Sequence, residues 1–250
     1  MKPQKESLWP WGPRVQVIEH DSSGLIAVHK PAGVLSHPNR PGATQRAAVT
    51  LDYHPEREAY SDSEGRELFL CNRLDSPTSG VLLFAESERL SEQVRRAFEE
   101  HRVEKTYVAL VKGRPRPDLQ TWKDNLARGR EQGRLRVTPG RSGSTPAITR
   151  IQREASWRLG AVMVSRLKLF PETGRTHQLR VQTAHRGFPI LGDKTYGDFL
   201  MNRNVLAAMD DKRLFLHAAS IKLNFKFAGK TIHFEASSPI PSPFFPNTPQ

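Results

Sequence analysis

Two short segments carry side chains whose types and spacing could do chemistry. Residues 71–80 (CNRLDSPTSG) place an arginine, an aspartate, a Thr-Ser pair and a glycine between two apolar runs. Pro77 and Gly80 mark a turn, so Asp75 sits at the edge of a strand-rich core. A carboxylate there can be a nucleophile or a base if it stays ionised, and nearby arginines favour that form. The plainer reading is a turn aspartate that caps its own backbone. Residues 172–193 (ETGRTHQLRVQTAHRGFPILGD) deliver Arg175 just before a helix and Arg180 further along it, with His177 and Gln178 as hydrogen-bonding neighbours. The planar guanidinium fork suits a carboxylate or a phosphate. A positively charged helix face accounts for the same residues without chemistry.

Other chemistries lack their residues. Gly229-Lys230-Thr231 ends like a phosphate-binding loop, but Asn224 stands where that motif needs glycine. No G-x-G-x-x-G follows a strand, so no dinucleotide or other nucleotide cofactor is expected. His177 and His185 lack a carboxylate at metal-ligand spacing, and the single cysteine, Cys71, excludes an internal disulfide and a cysteine zinc cluster. No metal and no cofactor are expected.

The formal net charge is +12, which favours a polyanionic partner: RNA, DNA or an anionic membrane surface. The N-terminus has no apolar core of signal-peptide length, and no window approaches the ~18 apolar residues of a membrane helix. Nucleic acid therefore leads, and a reducing, cytoplasmic setting follows from the cysteine usage.

The elements that must position these residues are mostly strands. Residues 15–19 and 25–30 read as strands around a turn at 21–24, and 80–85 (GVLLFA) as a buried strand. Ser87 is a candidate N-cap for a helix to about residue 101, with Leu90, Val94 and Phe98 on one stripe. Residues 107–111, 147–151, 161–170, 214–225 and 230–235 read as further strands, and 176–185 as a short helix stopped by Gly187. Residues 37–66 have little periodicity and read as a long excursion. Residues 113–141 hold eight Lys or Arg against three Asp or Glu, and read as a basic loop or arm that contacts phosphates. Residues 1–14 form an arm pinned by Trp9 and Trp11, and 237–250 a proline-rich tail that cannot extend a sheet. Strands outnumber helices without alternating with them. That indicates an α+β fold with a largely antiparallel sheet and flanking helices, and no domain boundary within 15–236.

Taken together, CNRLDSPTSG, KTYVALVKG, ETGRTHQLRVQTAHRGFPILGDKTYG and RLFLHAASIKL occur in that order, after GLIAVHKPAGVLSHP. These segments resemble the signature segments of the RluA-type pseudouridine synthases, over residues 15 to 236. One position departs: Asn72 stands where the family usually has histidine. The resemblance implies the pseudouridine synthase fold with a central RNA-binding cleft, and isomerisation of uridine to pseudouridine in transfer or ribosomal RNA without a cofactor. It implies Asp75 as the essential carboxylate, either nucleophile on the ribose or base taking a ribose proton. It implies Tyr107 as the ring against the target base and Arg180 as the ion-pair partner that holds Asp75 charged. Arg73 is similar to the arginine that enters the space left by the extruded nucleotide, since a base inside a helix must be flipped out to react. Arg175 and His177 fall to substrate binding. Many family members carry an extra RNA-binding domain before the catalytic one, and only about 14 residues precede the first strand in this chain. A compact RNA stem-loop is therefore expected as the target, and a monomer is the default. The rival readings are a non-catalytic RNA-binding or RNA-folding protein on the same fold, and a nuclease using His177 and His185.

Overall fold

A computed structural model describes residues 9–40, 42–131, 134–140, 144–209 and 211–246. They fall into two units, Met1–Val103 with Ser220–Pro239, and Glu104–Ala219 with Ile240–Gln250, whereas the sequence alone indicates no boundary.

In the first unit, β1 (Gln16–His20) and β2 (Leu25–Lys30) pair antiparallel around the expected turn. Asp21 Oδ1 accepts from the Ser23 and Leu25 amides at 2.9 and 3.0 Å, and Gly24 takes φ +89°. The expected excursion at 37–66 holds a 3-10 turn, Thr44–Arg46, and the short strands β3 (Asp52–His54) and β4 (Ala59–Ser61), followed by β5 (Glu67–Leu70). Three-residue strands have no period to read, which hides them in the sequence. They form an antiparallel ladder running through β5 to β6 (Ser79–Ala85), whose residues are all buried. β6 also pairs with β2, from Leu25↔Ala85 to Lys30↔Gly80. The predicted helix is α1 (Glu88–Glu99), and Ser87 caps it by accepting from the Leu90 amide at 3.4 Å. Leu90 and Val94 pack with Val81, Leu83 and Ala85, and Phe98 joins them partly buried. Each fully buried aliphatic side chain of this kind contributes about 1.5–3 kcal/mol. Residues 1–8 of the expected arm lie outside the described residues; further along it, Trp9 Nε1 donates to Glu86 at 3.1 Å, and the Trp11 ring lies 5.4 Å from Phe84.

The second unit is an antiparallel sheet of β7 (Val103–Lys112), β8 (Leu119–Glu131), β9 (Arg134–Pro139), β10 (Thr145–Leu159) and β11 (Val162–Pro171), in the order β7-β11-β10-β8-β9. The basic stretch expected as a loop at 113–141 is therefore corrected: most of it is a hairpin, paired from Leu126↔Pro139 to Glu131↔Arg134. Residues 132–133 and 141 lie outside the described residues. Trp122, Leu126 and Val137 are buried, but charged and small residues fill the positions between them, so neither a period of two nor one of 3.6 shows. α2 (Gln178–His185) starts two residues later than predicted, because His177 takes a left-handed φ of 53°; it ends before Gly187 as expected. α3 (Phe199–Met209) has no counterpart in the sequence reading. Its Phe199 and Leu200 are exposed while Val205 is buried, so these three apolar residues mark no single stripe. β12 (Leu216–Phe227) begins in the second unit and, from Ser220, pairs antiparallel with β13 (Lys230–Ser237) in the first. The proline-rich tail forms a 3-10 turn, Ser242–Phe244, whose fully buried Phe244 lies 5.3 Å from Phe215. These strand pairs are all antiparallel, which is the α+β arrangement expected.

Gly192 is a position where the backbone leaves no choice. It has φ +75°, and a Cβ there would lie 1.8 Å from the Arg213 carbonyl oxygen. Gly192→Ala is expected to lose about 3 kcal/mol or more of stability, read by urea unfolding beside wild type.

Candidate active site

In the first unit, the chain around Asp75 is held by polar groups sunk into the core. Lys30 ends β2 and is fully buried. Its ammonium donates to the carbonyls of Pro31, Val34 and Ser76 at 3.1, 2.7 and 3.1 Å. A buried cation is tolerated only with partners of this kind. The Gly33 amide donates to the Ser76 carbonyl at 2.8 Å, and Ser76 Oγ donates back to the Gly33 carbonyl at 3.2 Å. Ser36 Oγ donates to the Leu74 carbonyl at 2.8 Å and accepts from the Leu74 amide at 3.0 Å, while Tyr60 OH donates to the Ser36 carbonyl at 2.8 Å. The Thr78 amide donates to the Asp75 carbonyl at 2.9 Å and closes the turn. Both chain neighbours of Asp75 are thereby fixed, and Asp75 itself is half-buried.

Asn72 ties the start of the turn to β6, its Oδ1 accepting from the Leu83 amide at 2.8 Å. Arg73 is exposed, with Nη1 3.8 Å from Glu58. Burial pushes the Cys71 thiol up to about 12, which removes it as a nucleophile.

In the second unit, α2 turns polar side chains inward. Arg180 is 5% exposed and Asp193 1%. Arg180 Nε and Nη2 donate to Asp193 Oδ2 and Oδ1 at 2.8 and 2.9 Å, a bidentate pair. The amides of Thr195 and Tyr196 donate to the same Oδ1 at 2.8 and 3.0 Å. Burial alone would raise the Asp193 carboxyl, but the Arg180 hydrogen bonds and charge, with these amides, hold it below the usual carboxylate range. Gln178 Nε2 donates to the Ile148 carbonyl and Thr149 Oγ1, and Gln182 Nε2 to Asp124. Arg175 Nε donates to the Pro146 carbonyl at 3.1 Å. His177 Nδ1 lies 2.8 Å from Tyr196 OH. Tyr107 is half-buried on β7, paired with Leu169 of β11 and packed on the unit's core. Lys105 precedes Tyr107 by two residues on the same strand, and its ammonium donates to the Thr173 carbonyl at 3.3 Å. Burial, with Arg175 nearby, pulls the Lys105 ammonium down to about 8.

Arg73 and Asp75 thus belong to the first unit, and Tyr107, Arg175, His177 and Arg180 to the second. Among the described residues, no group of three or more His, Cys, Asp or Glu side chains could hold a metal ion. No helix there is long and apolar enough to cross a membrane.

Residues 24–185 match the family of RNA pseudouridylate synthases. The chain belongs to that family. Its reaction is the isomerisation of uridine to pseudouridine in RNA. The chain is 32% identical to a tRNA pseudouridine synthase C of Yersinia pestis, over 89% of this chain and 86% of that one. It is 33% identical to a ribosomal large subunit pseudouridine synthase C of Rickettsia bellii, over 90% of this chain and 69% of that one. Among solved structures it resembles the human RNA Pseudouridylate Synthase Domain Containing 1 protein, with a TM-score of 0.68 and 25% identity over 93% of this chain and 85% of that one. The human Domain Containing 4 protein shares the fold with a TM-score of 0.64, over 91% of this chain and 89% of that one, at 24% identity.

Four residues of these surroundings carry no role in the sequence reading: Lys30, Lys105, Asp193 and Tyr196. All four lie inside the family-like segments. Lys30 and Lys105 bind backbone carbonyls, and the side-chain partners of Asp193 and Tyr196 are distant in sequence, so spacing announces neither.

Two measurements check this geometry. Lys30→Met removes the donor shared by the carbonyls of Pro31, Val34 and Ser76, and is expected to cost about 3 kcal/mol in urea unfolding. The Lys105 amine is expected to titrate near pH 8 by NMR of its side chain. The unfolded chain keeps this lysine protonated to about 10.4, so it binds more protons than the native state between the two values. Stability relative to Lys105→Met should therefore rise as pH is raised from 8 to 10.

Proposed function

We propose that the enzyme modifies specific uridines of transfer RNA, with Asp75 as its essential carboxylate. The observation that carries the reading is the braced turn: Asp75 is half-buried, while its neighbour Leu74 is held by buried hydrogen bonds with Ser36 and its neighbour Ser76 by the ammonium of the buried Lys30. A solvent-facing turn aspartate that only capped its own backbone would need no such scaffold. Support for the substrate comes from relatives of several bacteria that bear the name tRNA pseudouridine synthase C. The relative named for the ribosomal large subunit favours ribosomal RNA as the second reading.

In the reaction the N-glycosidic bond breaks, the uracil turns, a carbon–carbon bond to the ribose forms, and the proton displaced from that carbon is balanced by one gained at nitrogen. Asp75 opens the sequence as nucleophile on the ribose or as base for a ribose proton, and both routes need the ionised carboxylate. As the resemblance implies, Tyr107 is the ring for the target base and Arg180 the ion-pair partner of Asp75. Arg73, exposed beside the Asp75 turn, fills the space of the extruded nucleotide. Arg175, His177 and the basic hairpin β8–β9 hold the RNA, Arg175 and the hairpin at its phosphates. The enzyme works as a monomer in the cytoplasm, where such RNA is found.

The test uses total RNA from a strain that lacks the gene, incubated with purified protein and mapped for pseudouridine at single-nucleotide resolution. New sites in transfer RNA with wild type, and none with Asp75→Ala, are expected. Salt-sensitive RNA binding without any new site would overturn the enzymatic reading in favour of an RNA-binding protein. New sites confined to ribosomal RNA would overturn the substrate.

A further inference from the structure

Within the second unit, Tyr196 is where the basic hairpin meets α2. The guanidinium of Arg136, on β9, lies 4.8 Å from the Tyr196 ring centroid, and that of Arg180, on α2, lies 5.2 Å from it. The hydroxyl accepts from the Val137 amide of β9 at 3.0 Å and lies 2.8 Å from His177 Nδ1. The Tyr196 amide donates to Asp193 Oδ1, the oxygen that also receives Arg180 Nη2. Arg136 donates in addition to the Thr195 carbonyl beside it. Burial raises the Tyr196 phenol, which keeps the hydroxyl protonated, and its oxygen accepts from Val137 while it is hydrogen-bonded to His177 Nδ1.

These contacts divide the side chain into two ends with different partners. The hydroxyl belongs to the hairpin and to the residue that opens α2. The ring face belongs to the two guanidinium groups, and a cation held on a π face is oriented by it. Asp193 grips Arg180 along its Nε–Nη2 edge, which fixes that edge and leaves the ring to limit its tilt. The hairpin exposes Lys123, Arg128 and Arg130, the kind of side chains that phosphates would engage.

We propose that Tyr196 is a positioning residue: it couples RNA seated on the β8–β9 hairpin to the orientation of the Arg180 guanidinium. This rests on the reading of Arg180 as part of the catalytic set and of the hairpin as a phosphate-binding element. Phosphates drawn onto the hairpin settle β9, the Val137 amide carries the hydroxyl with it, and the ring sets Arg180. No covalent step is involved, and the coupling shows in which kinetic constant each end of the side chain controls.

The test is steady-state kinetics on an in vitro transcript of an RNA containing a mapped uridine, with wild type, Tyr196→Phe and Tyr196→Leu. Phenylalanine keeps the ring and cuts the hydroxyl ties, so KM is expected to rise about fivefold while kcat falls far less than in the leucine variant. Leucine removes the ring as well, so kcat is expected to fall about tenfold further. Urea unfolding of both variants runs beside the kinetics. Rescue of kcat by phenylalanine over leucine, with the KM defect still present, supports the coupling. Equal effects of the two variants on both constants, or a kcat loss that tracks unfolding alone, would overturn it. Asp75→Ala is the control that separates the two levels: turnover by that variant sinks the catalytic assignment whatever Tyr196 does, whereas an inactive Asp75→Ala leaves the Tyr196 split to decide the coupling by itself.

Discussion

The buried pair of Arg180 with Asp193 constrains most of what surrounds it in the second unit. Taking both charges out of water costs several kcal/mol per ion, and only near-ideal geometry offsets that. The bidentate contact meets the demand on one side, and the amides of Thr195 and Tyr196 meet it on the other. Such an arrangement holds only if α2 and the segment after it keep one register. That explains the company it keeps: a left-handed His177 at the start of the helix, and a glycine at 192 pressed on the Arg213 carbonyl. A pair like this adds little net stability over an apolar pair of the same volume. What it contributes is a fixed Nε–Nη2 edge for the guanidinium.

The first unit meets a related problem with different means. Lys30 is as deeply buried as Arg180, yet three carbonyls receive its ammonium. Those carbonyls belong to the Pro31–Val34 corner and to Ser76, so one side chain joins the end of β2 to the Asp75 turn. Ser36 and Tyr60 add a second tie from the segment that follows. In both units the polar groups that cost most to bury lie next to the residues that the resemblance marks for chemistry, which is where rigidity of geometry matters most.

How much of this could be read beforehand depended on whether the signal was local. β2, β6 and β11 announce themselves as apolar or alternating runs, and α1 as a stripe beginning at a serine cap. The hairpin β8–β9 did not, because its buried residues Trp122, Leu126 and Val137 are widely spaced among charges, and its register is set by β10. The candidate site divides in the same way. Asp75, Tyr107 and Arg180 stand out through the order of the segments that contain them. Lys30 looks in sequence like any surface lysine, and Asp193 like a turn residue. Each acquires meaning only when the fold supplies its partners, and no periodicity encodes that.

Asn72 stands where the resemblance implies a histidine, and the structure gives that departure a physical character. A carboxamide oxygen accepting from the Leu83 amide is an uncharged acceptor at every pH the protein will meet. An imidazole at the same place would gain and lose a proton near neutrality, and would trade acceptor for donor as it did so. The clasp at the head of the Asp75 turn is thus deaf to acidity, and the turn keeps the same hold on β6 in an acidified cell as in a resting one.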